Sequence, residues 1–231
     1  MISVCMAVKN GENYIAEQID SIMDQLGDSD ELIVSDDHST DSTADIVRSF
    51  NDPRIKTVSS NRHGATHNFE MALSRSAGDY IFLADQDDIW HSDKLATMMP
   101  YFNGFDVVVC DCMLVDEKRN VISESFFEVN KSGKGFLRNL ISNSYMGCCM
   151  GFRREVLAKA LPFPTGTTIH DFWIGMVAET QFRSLFLDKT LVSHRIHGAN
   201  ASTSGKASRT PHLERVSQRY KLVRNLISRS L

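Results

Sequence analysis

The chain has 231 residues, 42% of them hydrophobic and 23% charged, with a formal net charge of −4. That composition excludes a disordered or fibrous chain, and the acidic balance gives nucleic acid no basic surface to bind. The length suits a single core, no apolar run approaches the roughly 18 residues of a membrane span, and the start, with Lys9 arriving early, lacks a secretory leader pattern.

In chain order, Ile2–Val8 reads as a buried strand ended by Asn10-Gly11, and Tyr14–Met23 as a helix with apolar residues at helical spacing. Leu32–Val34 is a strand running into Asp36-Asp37. Ser42 and Asp45 suit a capping pair that opens a helix through Phe50. Ile55–Val58 reads as a strand, Thr66–Ser74 as a helix and Tyr80–Leu83 as a strand. Three β-α units in succession imply an α/β fold with a mostly parallel sheet and helices on both faces. Ligands of such sheets sit at the carboxyl ends of strands, where Asp36-Asp37 and Asp85–Asp88 fall.

The second half is less regular. Val107–Cys110 reads as a strand, Phe136–Ile141 as a short helix and Phe152–Leu161 as a helix stopped by Pro162. Phe172–Glu179 reads as helical, with late strands at Leu185–Leu187 and Leu191–Ile196. Ala199–Arg209 has the composition of a flexible linker. Leu213, Val216, Tyr220, Val223 and Ile227 then mark a closing helix.

Asp85-Gln86-Asp87-Asp88 is the sharpest chemical signal. Its carboxylates repel one another unless a cation sits among them, and hard oxygen donors suit Mg²⁺ or Mn²⁺. A solvated acidic loop that caps the next helix explains the same residues. Asp36-Asp37 can accept hydrogen bonds from a base or ribose, or can simply cap a helix together with Ser39 and Thr40. Asp171, beside Phe172-Trp173, suits a general base; capping its own helix is the alternative. His194, Arg195 and His197 at a strand end can complete a metal and diphosphate site. After the first strand, Lys9-Asn10-Gly11-Glu12-Asn13 is neither a dinucleotide fingerprint nor a P-loop. The five cysteines, with Cys148-Cys149 among them, are odd in number and not at zinc or redox spacing, so reduced, packed thiols in a cytoplasmic setting are expected.

Taken in order, Met6–Tyr14 with Glu17–Ile22, Val34–Thr43, Asn61, Gly64 and Asn68, then Gly78–Ile81 through Asp85–Trp90 to Lys94-Leu95 form a recognisable series. Gly147, His170-Asp171-Phe172-Trp173 and Arg195–Asn200 extend it. Together they resemble the family-2 inverting glycosyltransferases of GT-A fold, in the bacterial branch of rhamnosyl- and hexosyltransferases of surface polysaccharide assembly. The resemblance implies one GT-A domain over 1–200, its nucleotide half about 1–105 and its acceptor and base half about 106–200, with a linker and a basic amphipathic helix over 201–231.

It also implies the roles. Ala7 and Lys9 would line the nucleotide, and Asp37, with Asp36 beside it, would pair with the N–H edge of uracil or thymine. Asp85 would face ribose or sugar, Asp87 would hold Mn²⁺ or Mg²⁺ with His197, and Asp88 and Trp90 would shape the sugar pocket. Asn10, Asn68, Gln86 and Arg195 join the donor-binding set, and Asp171 would be the catalytic base. The implied donor is a dTDP- or UDP-sugar and the acceptor a saccharide or lipid-linked saccharide.

Three departures stand out. Lys9 replaces a common tyrosine, His38 replaces the glycine of a D-D-G-S-T-D turn, and little chain follows the late histidine. The last departure leaves room for a non-catalytic nucleotide-sugar or cation-binding module. A nucleotidyltransferase would need a glycine-rich basic loop after the first strand. The terminal segment carries Lys206, Arg209, Arg215, Arg219, Lys221, Arg224 and Arg229 against Glu214. It suits either the anionic inner face of a membrane or packing against protein.

Overall fold

The computed structural model describes residues 1–60, 62–197 and 212–230, the side chains of 212–216 and 230 excepted. Asn61, Gly198-Ala199-Asn200 and the expected linker with Lys206 and Arg209 lie outside the described residues, as do the side chains of Glu214 and Arg215.

The first half runs β1 (Ile2–Val8), α1 (Ile15–Met23), β2 (Glu31–Asp36), α2 (Thr43–Ser49), β3 (Ile55–Ser59), α3 (Ala65–Arg75) and β4 (Tyr80–Asp85). Then come β5 (Ile89–Trp90), α4 (Lys94–Met98), β6 (Val107–Val115), β7 (Val121–Ser123), α5 (Phe126–Asn130) and α6 (Phe136–Ile141). The chain closes with β8 (Met150–Arg153), α7 (Arg154–Ala160), α8 (His170–Gln181), β9 (Ser184–Arg195) and α9 (His212–Ser230).

The sheet order is β3-β2-β1-β4-β8-β6-β9-β5, with β7 paired to β6. β3, β2, β1 and β4 are all parallel, and β6 runs parallel to β9 along the longest ladder. β8 is the antiparallel link between β4 and β6. The sheet is therefore mostly parallel, as the β-α succession predicts. Ser3 to Met6 of β1 are all buried, the signature of a strand covered on both faces. One buried apolar cluster takes in Val4 of β1, Phe82 of β4, Val108 of β6, Trp173 of α8 and Leu226 of α9, so both halves share a core.

Several elements differ from the expectation. Phe152 belongs to β8, where it pairs with Ile81 and Val107, so the helix begins only at Arg154. The two late strands are one, β9, whose ladder with β6 shifts register beside Asp111. Ser42 occupies the cap position of α2 without a capping bond. Its neighbour Asp41 takes the Thr43 N–H at 3.0 Å, and Asp45 pairs instead with Arg48. All five cysteines are buried and free, as packed thiols should be.

Candidate active site

The carboxyl ends of β1, β2 and β4 meet at one edge of the sheet. β1 pairs Ala7 with Ser35 on one side and Asp85 on the other, which brings the two acidic stretches together. Side chains pin the backbone there. Gln86 accepts from Lys9 N at 2.8 Å and donates to Lys9 O at 3.1 Å, while Asn68 Nδ2 donates to Val8 O at 3.0 Å. Asn10, at φ 50°, takes the Thr40 N–H at 2.9 Å, and Asp36 takes the Ser39 N–H at 2.9 Å. Four of the expected donor-binding residues thus brace the strand ends from which a ligand would be read.

Asp37 is 2% exposed. Its Oδ2 accepts from Gly64 N at 2.9 Å and Lys9 Nζ at 3.2 Å, and its Oδ1 lies 2.8 Å from His63 Nδ1. Burial opposes its charge, but the bonds from Gly64, His63 and Lys9 win and hold the carboxyl well below the usual range. His38, next in the chain, sits at φ 57°, the left-handed conformation that the missing glycine of this turn would have favoured.

The acidic loop splits into groups with different tasks. His197 Nε2 lies 2.7 Å from Asp87 Oδ2, and its ring stacks on Tyr14 with centroids 5.1 Å apart. Arg195 donates from Nε to Asp87 O at 3.0 Å and from Nη2 to Glu17 at 2.9 Å, with its guanidinium over the Tyr14 ring. Burial, then the Asp88 charge, raises the Asp87 carboxyl, against the His197 bond. Asp85 is pushed well above its ordinary range by burial and by the charges of Asp88, Asp87 and Asp171, against His194. A crowd of carboxylates that raises its own members' proton affinity is a place where a divalent cation would be welcome.

Asp88 is 1% exposed and faces inward. His194 Nδ1 lies 2.9 Å from its Oδ1, which also accepts from Arg195 N at 3.1 Å. Burial works against both charges, yet each partner overrides it: Asp88 is lowered and His194 raised well above its ordinary value. Asp85, Asp88, Cys148 and His194 offer ligand atoms within 4.8 Å of one another. Within this group Asp88 and His194 form an internal ion pair, and the Cys148 thiol is pushed up by its Cys149 contact and by burial. Trp90 is also turned inward, edge-on to Phe82 at 6.1 Å and under the Lys94 ammonium at 3.7 Å. Lys94 in turn donates to Cys148 O at 2.6 Å.

Opposite this loop, α8 opens at His170 with Ile169 at its cap, so Asp171 lies in the first turn and does not cap the helix. Its Oδ2 accepts from Gly147 N at 2.9 Å and its Oδ1 from Phe172 N at 2.6 Å. His170 stacks on Phe69 at 3.9 Å, and burial holds it below the usual histidine range, hence neutral. A Cβ on Gly147 would stand 3.3 Å from His170 Nε2, so glycine lets this loop close on α8. Tyr14, Glu17, His63 and Gly147 had no role assigned from the sequence. The Tyr14–Glu17 spacing on a helix facing the strand ends was the available signal.

The closing helix packs back on the domain. Leu222 and Leu226 of α9 are buried, Arg219 donates to Leu140 O at 2.8 Å and covers Phe172, and Arg229 covers Trp173. Leu222, Leu226 and two of the cations are thus engaged with protein, while Tyr220 and Ile227 of the expected apolar face are exposed. No helix among the described residues is long and apolar enough to cross a membrane.

The glycosyl transferase family 2 pattern matches residues 3–161. The chain belongs to that family. It is 31% identical over 224 residues to TuaG of Bacillus subtilis, named for teichuronic acid biosynthesis, covering 90% of this chain and 84% of the relative. It is 28% identical over 238 residues to the dTDP-rhamnosyl transferase RfbG of Shigella flexneri, covering 88% and 77%. Other relatives are glucosyltransferases acting on GlcNAc-diphosphoundecaprenol. Among solved structures, S. aureus TarS with UDP-GlcNAc superposes with TM-score 0.73 at 22% identity, over 99% of this chain and 66% of that one. That likeness establishes the GT-A fold. Further structures of this fold hold Mn²⁺ with UDP or GDP-mannose.

Proposed function

We propose that this family 2 glycosyltransferase moves a sugar from a UDP or dTDP donor to a hydroxyl of a surface polysaccharide, inverting the anomeric carbon. The observation that carries it is the meeting of Asp87 Oδ2 and His197 Nε2 at 2.7 Å, from positions 110 residues apart, with Asp85 near enough to feel the charges of Asp87 and Asp171. The donor class is supported by relatives and neighbours that use dTDP- and UDP-linked sugars, and a lipid-linked acceptor by relatives that act on one.

The donor set fits a hard divalent ion: Asp87 and His197, with Asp85 beside them, would hold Mn²⁺ or Mg²⁺. When bound, that ion supplies Lewis-acid stabilisation of the departing diphosphate, on the order of several kcal/mol. Arg195 keeps Asp87 in place through its backbone carbonyl. Asp37 and Lys9 present an acceptor and a donor to a base edge, as an N–H beside a carbonyl requires. Asp171 receives the proton of the attacking hydroxyl, with the Gly147 and Phe172 N–H groups fixing its orientation. One base and no covalent intermediate give inversion.

A panel of UDP- and dTDP-sugars incubated with the chain should show slow hydrolysis of one donor in Mn²⁺ and none with chelator. Turnover of no donor, in Mn²⁺ or Mg²⁺, would favour a binding module instead.

A further inference from the structure

We propose that Asp37, His38 and His63 form a binding site for a borderline transition-metal ion, distinct from the hard-ion position at Asp87. Their ligand atoms all lie within 4.8 Å of one another. Both imidazoles aim Nδ1 at the same carboxylate oxygen: Asp37 Oδ1 is 2.8 Å from His63 Nδ1 and 3.6 Å from His38 Nδ1. The other oxygen, Oδ2, is taken by Gly64 N and Lys9 Nζ, so the two sides of the carboxylate have separate work.

Two Nδ1 atoms facing one carboxylate oxygen are joined either by ring N–H groups, which neutral imidazoles supply, or by a metal. Zinc ligands at about 2.0–2.2 Å in a tetrahedron stand roughly 3.3 Å apart, and the two measured separations straddle that value. Two imidazoles and one carboxylate suit Zn²⁺, Ni²⁺ or Cu²⁺ and are poor for Mg²⁺. The side chains of His38 and His63 are 59% and 76% exposed, which admits the ion and leaves room for water to complete its shell. The Lys9 ammonium, 3.2 Å away on Oδ2, opposes a second cation, but its side chain is 53% exposed and free to turn outward. His38, at φ 57°, is a side chain added where glycine would fit, so the site can be removed without strain.

If Asp37 reads the nucleobase, an extension that rests on the function proposed above, zinc here excludes the donor and makes the enzyme zinc-inhibited.

The test is calorimetric titration of the full chain with Zn²⁺ in excess Mg²⁺, which fills the hard-ion position, for wild type, His38→Gly and His63→Ala. Loss of a group that merely orients a ligand costs about 10–100-fold in affinity, so each variant should bind Zn²⁺ at least about tenfold more weakly. No saturable Zn²⁺ binding by wild type, or equal binding by all three, overturns the site. Zn²⁺ binding that both variants weaken but that UDP does not displace upholds the site and instead contradicts the placement of the base at Asp37.

Discussion

Asp171→Asn is expected to cut sugar transfer by about 10²–10⁴-fold while leaving UDP or dTDP affinity within about twofold of wild type. The amide keeps the shape of the carboxylate and its one oxygen can still accept the Gly147 N–H, so the loop 2.9 Å away stays in place while the Phe172 N–H loses its acceptor. What is lost is the ability to take a proton from the acceptor hydroxyl. Asp171 sits across from the strand ends that would bind the nucleotide, on a different element, so binding and chemistry should separate. Nucleotide titration beside transfer kinetics reads both quantities. A parallel fall in both would mean that Asp171 holds the fold of the site, and the base would have to be sought elsewhere.

The second large effect concerns stability. Asp88 and His194 are 1% and 3% exposed and pair at 2.9 Å. Removing one partner of a buried pair costs about 3–5 kcal/mol. Asp88→Asn should therefore lower the urea midpoint sharply, whereas adding His194→Gln should restore part of the loss. Strictly additive losses would show that the two side chains act independently.

The pH dependence follows from the two directions. The lowered Asp88 contributes stability that is present above its unfolded value and lost as pH falls through its folded one. The raised His194 contributes stability that is full below its unfolded value and lost as pH rises through its folded one. The pair is thus strongest between the unfolded values of the two groups, and its contribution is gone below Asp88's folded value and above His194's.

The parallel half of the fold was legible because strands buried on both faces appear as continuous apolar runs, as Ile2–Val8 and Tyr80–Leu83 do. Helical spacing was equally plain in Tyr14–Met23, whose helix runs Ile15–Met23. The antiparallel link was not. Phe152 stands four residues before Val156, a helical spacing, so periodicity alone assigned it to the helix although it lies in β8. β5 and β7, of two and three residues, are too short to show a period, and tertiary pairing alone makes them strands.

The site divides in the same way. Strand-end position marked Asp37, Asp85 and Asp87, and the order of the motifs marked His197 and Asp171. The inward turn of Asp88 and Trp90 depends on His194 and Lys94 and is visible only in three dimensions. Asn10, Asp36, Asn68 and Gln86 have side chains that suit a nucleotide site, and here they tie down backbone. His63 gave no signal because its partner, Asp37, lies 26 residues earlier, across α2 and β3.

The most direct measurement is UDP affinity by calorimetry, with Mn²⁺ and with chelator, in wild type and Asp87→Ala. Wild type should bind UDP more tightly with Mn²⁺, and the variant should bind with the chelated wild-type affinity under both conditions. A variant that keeps the full Mn²⁺ dependence of wild type would contradict the assignment of Asp87 and His197 as the place where metal and diphosphate meet.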